Sequence, residues 1–209
     1  MIPGDIMDAT GAVVILLFVV TIFTASMGGG GPFGGKPTVP ARSNLDAGTL
    51  PDPNYISVVG EPVEDRIENF IKSFSKKVSP WDANMMASSM VRYGQQYNVN
   101  PKLVAALVCR ESAFNPSCVS PSGAQGLGQL LPPTAQSLNV TNAFDIDQNL
   151  MGTTRYVRLM LDRWDGHPQQ VPLALASYAE GFGAISRNGG YKDTTKQYIQ
   201  DIIGFYWQI

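Results

Sequence analysis

The sequence has few of the residues that build metal-dependent or thiol-dependent sites. Among 209 residues there are one histidine and two cysteines. One histidine excludes most histidine-based zinc sites, and two cysteines cannot form a four-cysteine site. The histidine, His167, lies between Gly166 and Pro168, a composition typical of a solvated turn. We therefore expect no metal and no other cofactor.

The chain also lacks an excess of charge of either sign. Fifteen Lys and Arg residues stand against seventeen Asp and Glu residues, which gives a formal net charge of −2. A protein that follows a nucleic-acid backbone needs a positively charged face, so we expect no nucleic-acid partner. With 44% hydrophobic and 15% charged residues, the composition excludes a disordered chain or a coiled coil.

A long uncharged run lies near the N-terminus. Residues 9–27 contain no charged side chain, and a helix of this length spans about 28 Å, close to the roughly 30 Å of a bilayer core. The short segment 1–8 holds Asp5 and Asp8 but no Lys or Arg, unlike the start of a signal peptide. We expect an uncleaved transmembrane helix at 9–27, with a cleaved signal peptide and a buried core helix as the alternatives.

Three further segments follow along the chain. Residues 28–60 are rich in glycine and proline and predict a flexible linker. Residues 61–78 carry apolar side chains at helical spacing, with acidic residues early and basic residues late, which predicts an amphipathic helix. Residues 79–209 predict one mainly α-helical domain, with helices starting near 80 and 101 and others at about 133–138, 147–164, 168–178 and 194–206.

One acidic residue falls on the apolar face of a predicted helix. In the helix that starts near residue 101, Glu111 shares a stripe with Val104, Leu107, Val108 and Phe114. Apolar neighbours disfavour the charged carboxylate and raise its pKa, as a proton donor at neutral pH requires. Periodicity alone favours the simpler alternative, a glutamate that reaches solvent or pairs with an arginine.

Spaced motifs around and after Glu111 indicate a family. Glu-Ser-Ala-Phe-Asn-Pro at 111–116 is followed by Ser120, by Gly-Ala-Gln-Gly-Leu-Gly-Gln at 123–129 and by Pro-Thr-Ala at 133–135. Downstream come Phe144-Asp145, Asn149, Gly152, Tyr156, Ala-Leu-Ala-Ser-Tyr at 174–178 and a closing segment at 191–202. In this order, over residues 81–206, the motifs resemble the soluble lytic transglycosylase family.

The resemblance implies a lysozyme-like fold that cleaves the β-1,4 bond between N-acetylmuramic acid and N-acetylglucosamine in bacterial peptidoglycan. Glu111 matches the catalytic glutamate, which would protonate the leaving oxygen and then accept a proton from the muramic acid's own 6-hydroxyl. The product would be a 1,6-anhydro sugar, and this internal nucleophile removes the need for a second carboxylate. Ser120, Gln129 and Tyr178 match substrate-contacting residues; without the resemblance they are a loop cap, a solvated glutamine and a core tyrosine.

Two positions depart from the family pattern. Gly128 replaces a methionine, which we expect to remove an apolar wall from the groove. Ala179 and Glu180 replace an Asn-Ala pair. Glu180 is therefore a candidate second carboxylate that would raise the pKa of Glu111 or hold a hydrolytic water; the alternative is an exposed substitution.

Two cysteines flank the segment that carries Glu111. A disulfide between Cys109 and Cys118 would pin the helix end that holds Glu111, and it would imply an oxidising compartment. Two separate thiols are the equal alternative, and the sequence does not choose between them.

These observations predict a membrane-anchored lytic transglycosylase whose partner is the peptidoglycan glycan strand. The alternatives are a goose-type lysozyme-like hydrolase of the same bond and a non-catalytic glycan-binding or structural membrane protein. Lys36 and Arg42 follow the span and favour a cytoplasmic C-terminal part, against a bacterial inner-membrane enzyme with its domain outside the cytoplasm. A phage protein carried in the virion membrane, beside other virion proteins, would escape this conflict and open the cell wall at infection.

Overall fold

The computed structural model describes residues 51–55 and 62–209, and this part of the chain is helical. Its eight helices are α1 (Val63–Phe74), α2 (Pro80–Tyr97), α3 (Pro101–Ser112), α4 (Pro132–Ser137), α5 (Ile146–Arg163), α6 (Gln170–Glu180), α7 (Phe182–Asn188) and α8 (Asp193–Tyr206). Within the same residues, pairing of the β type is limited to two isolated bridges in the segment between α3 and α4. The mainly α-helical class predicted from the sequence is confirmed.

The predicted transmembrane helix at 9–27 lies outside the described residues. No helix in the described ranges is both long enough and apolar enough to cross a membrane. The predicted linker, residues 28–60, is described only at 51–55, and there it lies on the domain. Asn100 N donates to Pro53 O at 2.9 Å, and Tyr55 N donates to Asn98 Oδ1 at 3.2 Å. The described part of the linker therefore contacts the connection between α2 and α3.

Helix α3 forms the centre of the domain because it is buried on almost every side. Its residues from Leu103 to Cys109 are all buried, as expected of a helix that is apolar all round. α1, α2 and α8 pack against it, while α5 packs on α2 and α6 packs on α5. The apolar face of α1 covers the end of α3, where Phe70 and Phe74 each lie 6.0 Å from the ring of Phe114.

The helix starts follow local sequence signals. Ser79 Oγ accepts the N–H of Asp82 at 3.0 Å, and Pro80 occupies the first helical position of α2. Asn100 caps α3 in the same way, again directly before a proline. Both arrangements satisfy backbone donors that a helix start leaves unpaired.

Candidate active site

Glu111 lies in the last turn of α3, whose end is fixed by a tight left-handed turn. Ala113 and Phe114 have φ values of 51° and 62°, and Ala113 N donates to Cys109 O at 3.0 Å. This turn places the fully buried ring of Phe114 in the core. Because the chain cannot shift without removing that ring, the turn holds Glu111 in place.

The Glu111 carboxyl group is partly buried and has a specific hydrogen-bond donor. Tyr198 Oη, on α8, donates to Glu111 Oε1 at 2.5 Å. Burial raises the pKa of Glu111 to about 7, although the Tyr198 hydrogen bond and the charge of Arg110 both lower it. A carboxyl group with a pKa near 7 can both donate and accept a proton at neutral pH.

Arg110, the residue before Glu111, is held by α8. Its Nε donates to Asp201 Oδ2 at 3.1 Å, and Asp201 Oδ1 also accepts from Gln197 Nε2 at 2.8 Å. The guanidinium carbon lies 5.4 Å from the centre of the Tyr198 ring. The Arg110 cation therefore lies next to Tyr198, and Tyr198 remains the direct hydrogen-bond partner of the Glu111 carboxyl group.

Tyr178 of α6 is buried, and its hydroxyl group makes a hydrogen bond within the protein. Tyr178 Oη donates to Gly128 O at 2.7 Å. Burial raises the pKa of Tyr178 well above its ordinary value, and the nearby charge of Glu111 raises it further. Tyr178 thus joins α6 to the glycine-rich segment 123–129 and lies within range of the Glu111 charge.

The glycine-rich segment is hydrogen-bonded to α5 through Asn149. Asn149 Oδ1 accepts Gly128 N at 2.8 Å, and Asn149 Nδ2 donates to Ala143 O at 2.7 Å and Gln125 O at 3.2 Å. A Cβ atom at Gly126, where φ is +73°, would lie 2.0 Å from Ala143 O. Only glycine allows this close approach.

The expectation that Gly128 removes an apolar wall from the groove is wrong. The Cβ direction at Gly128 points at α5, where Thr153 Oγ1 lies 1.9 Å from the site of the absent atom. Thr153 is fully buried and fills that space. Thr153 therefore occupies the space that a side chain at position 128 would need.

The other two residues that match substrate-contacting positions also make internal hydrogen bonds. Gln129 Nε2 donates to Gly126 O at 2.9 Å and Cys118 O at 3.1 Å. Ser120 Oγ accepts Ala124 N at 3.0 Å and lies 2.8 Å from Ser122 Oγ. Both side chains remain partly exposed, so they shape the segment and still present polar atoms at its surface.

Glu180, the candidate second carboxylate, is hydrogen-bonded to α8. Its carboxylate accepts a hydrogen bond from the Thr195 hydroxyl group at the start of that helix, and Glu180 is not among the groups that shift the pKa of Glu111.

Cys109 and Cys118 are separate thiols. Burial raises the pKa of the partly exposed Cys118, and the charge of Glu111 adds to that shift.

Tyr198 is the functional residue that sequence reasoning did not single out. It falls inside the closing motif at 191–202, where many positions match and none carries an obvious chemical signal. Its importance depends on α8 packing against α3, a long-range contact that helical periodicity does not reveal. The available signal was a tyrosine at helical spacing with the apolar residues Ile199 and Ile202 of the same motif.

Comparisons with known proteins agree with this site. The family described as transglycosylase SLT domain matches residues 88–200. A membrane-bound lytic murein transglycosylase F of Photobacterium profundum is 34% identical over 136 residues, which cover 60% of this chain and 25% of that protein. A transglycosylase of Enterobacteria phage PRD1 is 48% identical over 86 residues, covering 41% of this chain and 31% of that protein. The chain thus spans less than a third of either relative.

Solved structures show the same architecture. An inactive mutant of the lytic transglycosylase Slt from Pseudomonas aeruginosa superimposes with a TM-score of 0.51 at 22% identity, covering 57% of this chain and 23% of that one. The 70 kDa soluble lytic transglycosylase from Escherichia coli gives a TM-score of 0.52 at 17% identity, covering 70% and 29%. At such identities the likeness concerns the fold, which is the predicted lysozyme-like one. Since the family match includes Glu111 and extends over more than half of the sequence, the chain belongs to the transglycosylase SLT domain family.

Proposed function

We propose that this protein is a peptidoglycan lytic transglycosylase in which Glu111 serves as both acid and base. The observation that carries the proposal is the Glu111 carboxyl group itself, with its pKa raised to about 7 by burial and its hydrogen bond from Tyr198. Family membership and the names of the bacterial and phage relatives support the same substrate.

The reaction needs one proton that leaves Glu111 and returns to it. Protonated Glu111 donates its proton to the oxygen of the β-1,4 bond, and the bond between that oxygen and C1 of N-acetylmuramic acid breaks. The 6-hydroxyl oxygen of the same sugar then bonds to C1 and loses its proton to the Glu111 carboxylate. The products are a 1,6-anhydro sugar and a free 4-hydroxyl group, and the enzyme is restored. General acid–base catalysis of this kind contributes roughly 10²- to 10⁴-fold.

Tyr198 would keep one carboxyl oxygen of Glu111 fixed while the other faces the sugar. Its O–H stabilises the carboxylate formed after proton donation, and Arg110 adds positive charge on the same side. Ser120, Gln129 and Tyr178 would form the groove wall, with Tyr178 closest to the reacting centre.

A hydrolase that inverts the sugar needs a second carboxylate about 6.5–9.5 Å from the acid to activate water. Among the described residues, no aspartate or glutamate contributes to the pKa shift of Glu111. Glu180, the candidate second carboxylate, is engaged by Thr195. These facts favour the internal 6-hydroxyl nucleophile over the lysozyme-like alternative, and they leave the non-catalytic alternative without an explanation for the raised pKa of Glu111.

The test is a pair of glutamine substitutions assayed on purified peptidoglycan. Glu111→Gln keeps the shape of the side chain but cannot donate a proton, so we expect at least about a 100-fold loss of glycan cleavage. The matched control, Glu180→Gln, still offers an oxygen to Thr195 and should keep cleavage within about twofold of the wild type. Wild-type activity in folded Glu111→Gln would refute the role of Glu111, and a large loss in Glu180→Gln would favour the hydrolase.

We also propose that residues 9–27 anchor the enzyme in a membrane, and that the enzyme opens the cell wall during phage infection. The uncharged run at 9–27 supports the anchor, and the likeness to a phage transglycosylase supports the setting. Virions treated with protease before and after removal of their outer shell would test both ideas. The account expects a membrane-bound protein that becomes cleavable only after shell removal; recovery of the full-length chain in the soluble fraction would contradict the anchor.

A further inference from the structure

Gly128 and Thr153 lie so close together that only glycine fits at position 128. A Cβ atom on Gly128 would lie 1.9 Å from Thr153 Oγ1, 2.8 Å from its Cγ2 and 2.9 Å from its Cβ. Rotation of the threonine side chain cannot relieve a contact with its own Cβ, because that atom is fixed by the α5 backbone. Any larger residue at position 128 therefore requires a smaller one at 153 or a displaced segment.

Gly128 holds the hydroxyl group of Tyr178, and Thr153 helps to hold Gly128. Tyr178 Oη donates to Gly128 O at 2.7 Å. Thr153 Oγ1 donates to Asn149 Oδ1 at 3.2 Å, and the same oxygen accepts Gly128 N at 2.8 Å. The phenol is thus fixed through the segment 123–129, which α5 holds, and all four residues are buried.

Tyr178 connects this buried arrangement to the chemistry. Tyr198 donates a hydrogen bond to Glu111 directly, and the charge of Glu111 also acts on the Tyr178 hydroxyl group. The hydrogen bond to the buried Gly128 carbonyl sets the position of the Tyr178 side chain in advance, and a groove wall displaced by even 1 Å can cost a large part of the rate.

We propose that Thr153 is a positioning residue for the transglycosylase reaction and that it works with Gly128 as a matched pair that fixes Tyr178 beside Glu111. This inference rests on the proposed function of Glu111. It assigns a role to a buried threonine that contacts neither the acid nor the groove. It also explains how the domain accommodates glycine where its relatives' pattern has methionine.

The fit between the two residues is tested by a double-mutant cycle on melting temperature. Gly128→Ala places a Cβ against Thr153 and should lower the melting temperature by several degrees. Thr153→Ala removes the two nearest atoms, Oγ1 and Cγ2, and leaves only the contact with its own Cβ at 2.9 Å. The double variant Gly128→Ala/Thr153→Ala should therefore melt above Gly128→Ala alone. A Gly128→Ala protein as stable as the wild type, or a double variant no more stable than Gly128→Ala, would overturn the matched pair.

The positioning role is tested by two conservative substitutions with opposite losses. Thr153→Val keeps the shape and loses the hydroxyl group, whereas Thr153→Ser keeps the hydroxyl group and loses a methyl group. If the hydrogen bond from Thr153 to Asn149 holds Gly128, and through it Tyr178, in place, Thr153→Val should lose about fivefold in kcat with KM nearly unchanged, while Thr153→Ser stays within about twofold of the wild type. A purely structural threonine would instead leave kcat per folded molecule unchanged in both variants, and that result would overturn the proposal.

The two readouts separate this inference from the proposed function. Melting temperatures do not depend on any reaction, so they judge the Gly128–Thr153 fit even if the wild type fails to cleave peptidoglycan. In that case the proposed function fails and the positioning role fails with it. An active wild type whose kcat is the same in Thr153→Val would refute the positioning role alone.

Discussion

Glu111 should destabilise the folded protein at every pH that forces it to ionise. Its pKa is 4.5 in an unfolded chain and about 7 in the folded domain, chiefly because of burial. Each pKa unit corresponds to about 1.4 kcal/mol, so the difference amounts to roughly 3 kcal/mol. Some contact with solvent reduces this value, and we expect a cost of about 1–3 kcal/mol.

The sign follows from the direction of the shift. The folded state holds the Glu111 proton more tightly than the unfolded state, so the contribution to stability is complete below pH 4.5 and is lost as the pH rises through 7. Glutamine cannot ionise and keeps the neutral-form stability at every pH. Glu111→Gln should therefore match the wild type near pH 4 and exceed its free energy of unfolding by about 1–3 kcal/mol at pH 8.

Urea unfolding followed by tryptophan fluorescence, at several pH values between 4 and 8, measures this difference directly. Glu68→Gln is a control of opposite sign, because the hydrogen bond from Lys72 lowers the pKa of Glu68. That variant should lose stability at neutral pH relative to the wild type. A difference between Glu111→Gln and the wild type that does not grow with pH would refute the raised pKa of Glu111.

Three further predictions concern the surroundings of Glu111. Tyr198→Phe removes the hydrogen bond that lowers the pKa of Glu111, so the basic limb of the pH–rate profile should move upward by about 1 pH unit or more; a downward move would contradict the geometry. Arg110→Gln should move the same limb in the same direction by less, since its charge acts more weakly than the hydrogen bond. At pH 8, iodoacetamide should modify Cys118 faster in Glu111→Gln than in the wild type, because the Glu111 charge raises the pKa of Cys118. Buried Cys109 is the unreactive internal control. Equal rates in the two proteins would show that the Glu111 charge does not act on Cys118.

The helices that carry the site could be predicted because their signals are local. Ser79 and Asn100 each precede a proline at a helix start, and both cap their helices in the structure. The apolar neighbours of Glu111 were likewise readable, because they lie on the same helix. Helix α7 was missed because its seven residues are too few to show a periodic pattern.

The partners of Glu111 could not be predicted, because they arrive from distant parts of the chain. Tyr198 is 87 residues away and reaches the acid only through the packing of α8 on α3. The threonine that fills the space beside Gly128 gives no sequence signal at all, and for that reason the departure at 128 was misjudged as a gap in the groove. The family motifs thus pointed to the acid, while the residues that change its pKa and fix its position could be found only from the fold.

The central claim is that Glu111 works with the sugar's own 6-hydroxyl group and without a second carboxylate. Digestion of purified peptidoglycan in water enriched in ¹⁸O, followed by mass spectrometry of the fragments, tests this claim most directly. We expect 1,6-anhydro ends that carry no ¹⁸O in the wild type and no new ends in Glu111→Gln. Fragments heavier by one molecule of labelled water throughout would contradict it and would establish a hydrolase.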